Sequence, residues 1–317
     1  MEQRDFGDLG AVSALTLGGG GIGQVWGATS REEAVATTRE AVDGGITLLD
    51  VAPGYGRGEA ERVVGEAFSG RLPDGVRIVT KVRLGAPPAA EVDGRIAESL
   101  RESLERMGLG RVDLLLLHNP LVPDDDAETP GTPLRLFGEA VRPALERLVH
   151  AGRIGAWGIT GIGVPEAVIA ALRADPRPAA VQCIANLLDS AGALGRFPGP
   201  ARPREIIAVA AARGVPVMGI RAVQAGALTD RFDRDLPEGH ADRIDYDRAA
   251  RFRELARELR ESPASLAHRY ALSMPGVATV VLGVKNRVEL RECLEAERRG
   301  ALDGELVRRV DASVRER

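Results

Sequence analysis

Asp50, Tyr55, Lys81 and His118 are a set of side chain types that could together move a proton onto a carbonyl oxygen. A phenol titrates near ~10 in water, so a tyrosine is a weak acid at neutral pH until a nearby cation stabilises its phenolate. Lys81 would supply that cation, Asp50 would keep the ammonium charged and in place, and His118 would steer or polarise the carbonyl from the other side. Taken one at a time, each has a plainer reading: a surface aromatic in a Gly-rich loop, an ion-pair partner, a His-Asn-Pro strand stop. Their placement separates them from those readings. Asp50, Lys81 and His118 end the apolar runs ITLLD (46–50), VRIVTK (76–81) and VDLLLLH (112–118), and Tyr55 follows the first of these closely. A buried strand that stops on a charged or titratable group carries a desolvation cost unless the group is paired or used.

The elements that must position this quartet follow from the same runs. Amphipathic stretches at 57–68 and 90–107 separate them, and strand, helix, strand in that order describes a parallel α/β unit. Along the chain the expected strands are 14–17, 47–50, 77–81, 113–118, 156–160, 180–184, 215–220 and 279–282. Further helical patterns lie at 31–42, 140–151, 165–173, 204–213, 248–260, 263–273 and 288–298, several opened by Ser, Asp or Pro cap signals. A hairpin is expected over 4–12. The sum is an α/β protein, a (β/α)8 TIM barrel forming one domain over 1–317, in which the C-terminal strand ends share one mouth. Long loops at 121–138, 189–203 and 230–247 would border that mouth, while the tail after Glu297 reads as short and charged and leaves it open. The acidic run 124–126 reads as a solvated loop.

Composition narrows the function classes. A length of 317 residues fits a barrel of ~250 residues with insertions. The net charge is -4 and the arginines and glutamates are interspersed, which argues against nucleic acid as a partner. The polar start MEQRDFGDLG has no apolar signal core, and no apolar stretch approaches the ~20 residues of a membrane span, so no membrane association and a cytoplasmic location are expected. The two cysteines, Cys183 and Cys293, have neither metal-ligand spacing nor the number of a disulfide framework; they read as buried thiols, and no metal is expected. His150 and His268 fall in helical segments and His240 in a charged loop, all three as solvated or helix-face residues. The run GGGGIG (18–23) satisfies G-x-G-x-x-G after a strand, yet QVWGAT intervenes before Ser30 can cap a helix, and Asp50 lies further on than a dinucleotide fingerprint requires. These glycines read instead as a close approach of backbone to the mouth.

Several blocks together carry a family resemblance. The stretch DVAPGYGRGEAERVVGEAF (50–68), the TKV at 80–82 and SLRESLERMGLGRVDLLLLHNP (99–120) resemble the aldo-keto reductase superfamily, and the likeness extends over nearly the whole chain. The resemblance implies Tyr55 as general acid, Lys81 tuning it, Asp50 pairing with the lysine and His118 orienting substrate, with Trp26 and Asn119 at the substrate pocket. It also implies NADPH, rather than NADH, as the cofactor. Gln182, in Q-x-x-x-N (182–186), falls where the family binds the nicotinamide carboxamide; Thr160 keeps the hydroxyl of the family's G-x-S-N, and Gly161 lacks its amide. In VMGIRAVQAGALT (217–229), Ile220 replaces the aromatic ring that stacks on the nicotinamide, Arg221 follows it, and Gly226 matches the segment's glycine. In VLGVKNRVELREC (281–293), Gly283, Lys285 and Asn286 fall where the 2′-phosphate is held, and Glu289 and Cys293 stand where Gln and Asn touch adenine.

The resemblance thus implies an NADP(H)-dependent interconversion of a small aldehyde or ketone, a sugar or secondary metabolite, and its alcohol. The residues alone leave open a nucleotide-sensing barrel without catalysis, motivated by Gly161 and Ile220, and a redox-neutral epimerase or lyase using the same quartet. Substrate identity resides in the loops.

Overall fold

The computed structural model describes residues 1–126, 128–230, 232 and 235–314. Eight strands, β1 (Leu15–Gly18), β2 (Leu48–Asp50), β3 (Arg77–Val82), β4 (Val112–Leu117), β5 (Ile154–Thr160), β6 (Val181–Ile184), β7 (Val217–Ile220) and β8 (Val277–Leu282), close into a barrel in chain order. Every neighbouring pair is parallel, including the closure of β8 on β1 through Val280 and Leu15. Strands covered on both faces read as unbroken apolar runs, and alternation explains why. Leu48, Val79, Leu114, Leu116 and Met218 pack together inside the barrel, whereas Leu49, Ile78, Leu115 and Leu117 pack outward against the helices. The hairpin of Gln3–Asp5 and Ala11–Ser13 contributes fully buried Phe6 and Val12 to the inner cluster.

Helices follow the strands as the patterning requires. Ser30 caps Arg31–Asp43 by accepting from Glu33 N (3.1 Å), and Ser262 caps Pro263–Ser273 by accepting from Ser265 N (3.0 Å). The helix expected from 57 begins at Glu59, because Arg57 (φ 54°) and Gly58 (φ 83°) are left-handed. The glycine run, expected as plain loop, makes a helical turn over Gly19–Ile22.

Three further departures concern the mouth. The expected loop 230–247 contains a helix, Ala241–Arg248, with the His240 ring accepting from Asp242 N (3.2 Å) at its start. Its buried positions include Asp242 and Asp245, so its inward face is polar and no hydrophobic period announces it. The tail is not plain coil: Asp303 caps Gly304–Ala312, which buries Val310 and accepts from Tyr270 Oη at Asp311 (2.5 Å). Within 121–138 the short segments Leu121–Val122 and Thr132–Pro133 pair, and Asp124 and Asp126 accept from the backbone of Arg135 (2.7 Å) and Thr129 (2.8 Å). Positions 127, 231, 233, 234 and 315–317 of these expected loops and tail lie outside the described residues. Among the described residues no helix is long and apolar enough to cross a membrane.

Candidate active site

Strand register sets the quartet. Asp50 pairs with Val79 across β2 and β3, Lys81 with Leu116 across β3 and β4, and His118 N continues that ladder by donating to Val82 O at 2.7 Å. Lys81 Nζ lies 2.8 Å from Asp50 Oδ1 and donates to Val51 O at 2.9 Å, with side chains 0% and 2% exposed. Tyr55 sits on the turn into helix Glu59–Phe68, its N donating to Ala52 O (3.1 Å) and its O accepting from Ala60 N (3.3 Å). The Lys81 ammonium is 4.6 Å from the centre of the Tyr55 ring, and that ring meets His118 edge-on at 5.8 Å. All four side chains thus converge at the ends of three adjacent strands.

The electrostatics of this corner follow from burial. For Lys81, burial opposes the charge, but Asp50 and Tyr55 outweigh it and the pKa rises above the usual lysine value, so the group is an ammonium. For Tyr55, burial raises the pKa, Lys81 opposes the rise and Asp50 adds to it. The net direction is upward: the lowering effect of Lys81 on the phenol is present, and desolvation exceeds it. The phenol therefore holds its proton throughout the neutral range. His118 is pushed down to about 3 by burial, with Lys81 and Arg83 adding to the shift, so its imidazole is neutral.

Above the quartet opens a cavity of about 960 Å³. Trp26, Tyr55, His118 and Asn119 line it, as do Thr160, Gln182, Ile220, Arg221, Gly226, Gly283, Lys285 and Glu289. Asn119 Oδ1 accepts from Leu84 N (2.6 Å), tying the ends of β3 and β4. Trp26 is half-buried beside the glycine run; a Cβ on Gly20 would collide with its indole nitrogen, and one on Gly21 with Val284 O. Those two glycines let the loop and the exit of β8 meet.

On the opposite wall, Thr160 and Gln182 are register partners on β5 and β6. Thr160 Oγ1 and Gln182 Nε2 are buried with no hydrogen-bond partner among the described residues, a condition that native proteins rarely leave unanswered. An amide-bearing ligand, with both a donor and an acceptor, has the chemistry to pair with both. Arg221 is engaged otherwise: in a left-handed conformation (φ 59°), it pairs with Asp242 (2.7 Å) and donates to Gln224 Oε1 (2.9 Å). Gln224 in turn donates to Asp245 (2.6 Å) and accepts from Asn186 (2.9 Å), so a buried polar network fastens the loop after β7 to helix Ala241–Arg248. Lys285 Nζ is 3.4 Å from Glu289 Oε1, and Lys285 N donates to the same carboxylate (2.9 Å). Asn286 is not among the lining residues; its Oδ1 accepts from Glu289 N (3.0 Å) as the cap of helix Arg287–Arg298.

Arg83, Arg196 and His268 are among the cavity-wall residues that sequence reasoning missed. Arg83 lies two residues beyond Lys81, just past the end of β3, where the chain turns out into the mouth. Arg196 sits in irregular backbone and had no signal. His268, expected as solvated or helix-face, turns its helix face inward at 6% exposure and stands 3.8 Å from Cys293 Sγ. Both cysteines are buried, and burial pushes the Cys183 thiol up to about 12 and Cys293 well above the thiol range. Among the described residues, no group of three His, Cys, Asp or Glu is placed to hold a metal ion.

The sequence profile of the Aldo/keto reductase family matches residues 14–315. L-galactose dehydrogenase of Arabidopsis thaliana is 34% identical over 168 residues, 51% of this chain and 49% of that protein. The chain therefore spans about half the length of that relative. D-threo-aldose 1-dehydrogenase of a Pseudomonas species is 27% identical over 90% of this chain and 89% of its own. Among solved structures, an aldo-keto reductase from Klebsiella pneumoniae in complex with NADPH superposes with a TM-score of 0.71 at 25% identity, over 99% of this chain and 96% of that one.

Proposed function

The chain belongs to the aldo/keto reductase family, and from that premise we propose that it interconverts an aldehyde or ketone and its alcohol with NADP(H), using Tyr55 as the proton donor and acceptor. The observation that carries this reading is the corner itself: a phenol that keeps its proton, beside a buried ammonium locked by Asp50, at the floor of a large cavity. Residues 1–317 are read as one barrel domain. Gln182 and Thr160 would hold the carboxamide, Ile220 would cover the ring by apolar contact, and Lys285 with the N-terminus of helix Arg287–Arg298 would meet the 2′-phosphate. When bound, NADPH supplies the hydride. Tyr55 gives its proton to the carbonyl oxygen, and the Lys81 charge stabilises the phenolate that this leaves. Asp50 keeps Lys81 charged and fixed at 2.8 Å. The neutral His118 ring offers one N–H to the carbonyl oxygen and cannot compete as an acid. In the reverse direction the same phenolate accepts the alcohol proton.

The names of the two dehydrogenase relatives put sugars among the candidate substrates. The test is a titration of the purified protein with NADPH and then NADH, read by nicotinamide fluorescence and quenching of Trp26, followed by an aldehyde, ketone and sugar panel. Tighter binding of NADPH and its consumption with a carbonyl compound support the reading. Absence of binding by both nucleotides overturns it.

A further inference from the structure

Four cationic side chains line the cavity among the described residues: Arg83, Arg196, Arg221 and Lys285. Two are committed within the protein, Arg221 to Asp242 at 2.7 Å and Lys285 to Glu289 at 3.4 Å. Arg83 and Arg196 are exposed and line the cavity, and neither side chain has a hydrogen-bond or ion-pair partner among the described residues. Carboxylates are not scarce, since Asp and Glu outnumber Lys and Arg by 46 to 42. Around the barrel arginines take them readily, as in Arg31 with Glu59 (2.5 Å), Arg287 with Glu33 (2.9 Å) and Arg291 with Glu40 (2.5 Å). The carboxylates that share the cavity wall do not reach Arg83: Asp50 is held by Lys81, Glu289 by Lys285, Glu292 accepts from Ser262 Oγ, and Asp230 pairs with neither free arginine.

Arg83 is also in a defined place. It is the first residue after β3, whose last carbonyl, Val82 O, accepts from His118 N at 2.7 Å, and it lines the cavity together with Asp50, Tyr55 and His118. Its charge is felt at both Tyr55 and His118. A guanidinium beside the reacting corner, in a cleft of an otherwise negative protein, attracts an anion and can hold it by two parallel hydrogen bonds. In the reading above, the cofactor's 2′-phosphate is met by Lys285 and the N-terminus of helix Arg287–Arg298.

We infer that the carbonyl substrate carries an anionic group, a carboxylate or a phosphate, received by Arg83 with Arg196 as the second donor. This rests on the reductase reading above. The experiment measures kcat/KM with NADPH for two matched pairs, 4-oxobutanoate against butanal and glyceraldehyde 3-phosphate against glyceraldehyde. The anionic member of at least one pair is expected to be favoured about tenfold or more, and the favoured pair identifies the anion as carboxylate or phosphate. Arg83→Gln should reduce that preference about tenfold, mainly through KM, and Arg83→Lys should retain part of it. Arg196→Gln should reduce it less; a loss of NADPH affinity in its place would remove Arg196 from the site.

Equal or better use of the neutral compound in both pairs, or a preference that survives Arg83→Gln, overturns the inference while leaving the reductase reading intact. If no aldehyde is consumed, that reading fails, and calorimetric titration of 4-oxobutanoate and glyceraldehyde 3-phosphate into the native and Arg83→Gln proteins decides the anion site alone. Binding lost in the variant upholds it; no binding by the native protein overturns it.

Discussion

On the β2–β4 side of the mouth, Asp50 Oδ1 accepts no hydrogen bond of good geometry yet lies 2.8 Å from the Lys81 ammonium in a buried ion pair; on the β5–β6 side, Thr160 Oγ1 and Gln182 Nε2 are equally buried and have neither a hydrogen bond nor an ion pair among the described residues. The first region is finished by the protein itself, so its electrostatics are in place before any ligand arrives. The second has polar groups whose burial costs free energy until a ligand answers them. A site that fixes its proton chemistry internally while leaving its cofactor wall incomplete concentrates binding energy on that wall.

The contrast is broken most directly by Tyr55→Phe, which removes the proton donor and should lower carbonyl reduction by about 10²–10⁴-fold while NADPH affinity changes little. Fluorescence titration beside steady-state rates reads both quantities, and an unchanged rate would sink Tyr55 as the acid. Lys81→Met should come next. It leaves Asp50 buried and unpaired, with an expected destabilisation of about 3–5 kcal/mol in urea unfolding, besides a loss of rate. Gln182→Met should do the reverse: NADPH affinity falls about tenfold, yet the melting temperature holds or rises, because an unsatisfied amide is replaced by an apolar chain of similar length. A stability loss comparable to that of Lys81→Met would erase the proposed difference between the two sides.

Smaller effects sharpen it. Glu289→Gln removes the carboxylate next to Lys285 and should tighten NADPH a few-fold relative to NADH, whereas Lys285→Ala should weaken NADPH more than NADH. Equal responses of the two nucleotides would make Lys285 a bystander. The smallest expected effect is the pH response of His118. Its folded pKa of about 3 lies below the ordinary 6.5, so its contribution to stability is complete above about 6.5 and is lost as pH falls from there toward 3. Unfolding free energies at pH 7 and pH 5 should differ more in the native protein than in His118→Gln.

How much of this was legible depended on what the core is made of. The barrel could be read because parallel strands buried on both faces are continuous apolar runs, and a run such as VDLLLLH that stops on one polar residue names both an element and a site. Helix Ala241–Arg248 could not be read, since its inward residues Asp242 and Asp245 are buried through pairing with Arg221, Gln224 and Arg248 rather than through apolarity. Arg83, just past the end of β3, and Arg196, in irregular backbone, lie outside any periodic element and carried no such signal. The net Tyr55 shift was legible only in part for a related reason: residue types announce the neighbouring charge of Lys81, but the depth of burial that outweighs it is a property of the folded chain.

The network that joins Arg221, Gln224 and Asn186 to the helix over Ala241–Arg248 bears on how such a barrel can diversify. With Arg221, Gln224 and Ala225 all in left-handed backbone, and Asp242 and Asp245 far along the chain, a single substitution at any anchor strands its buried partners. Variation reaching this part of the mouth must therefore arrive as a set, or be confined to chain between the anchors. Grafting the loop after β7 from a relative would succeed only when its contacts on the helix and at Asn186 travel with it, so the unit of inheritance here is a constellation of distant positions rather than a contiguous stretch of sequence.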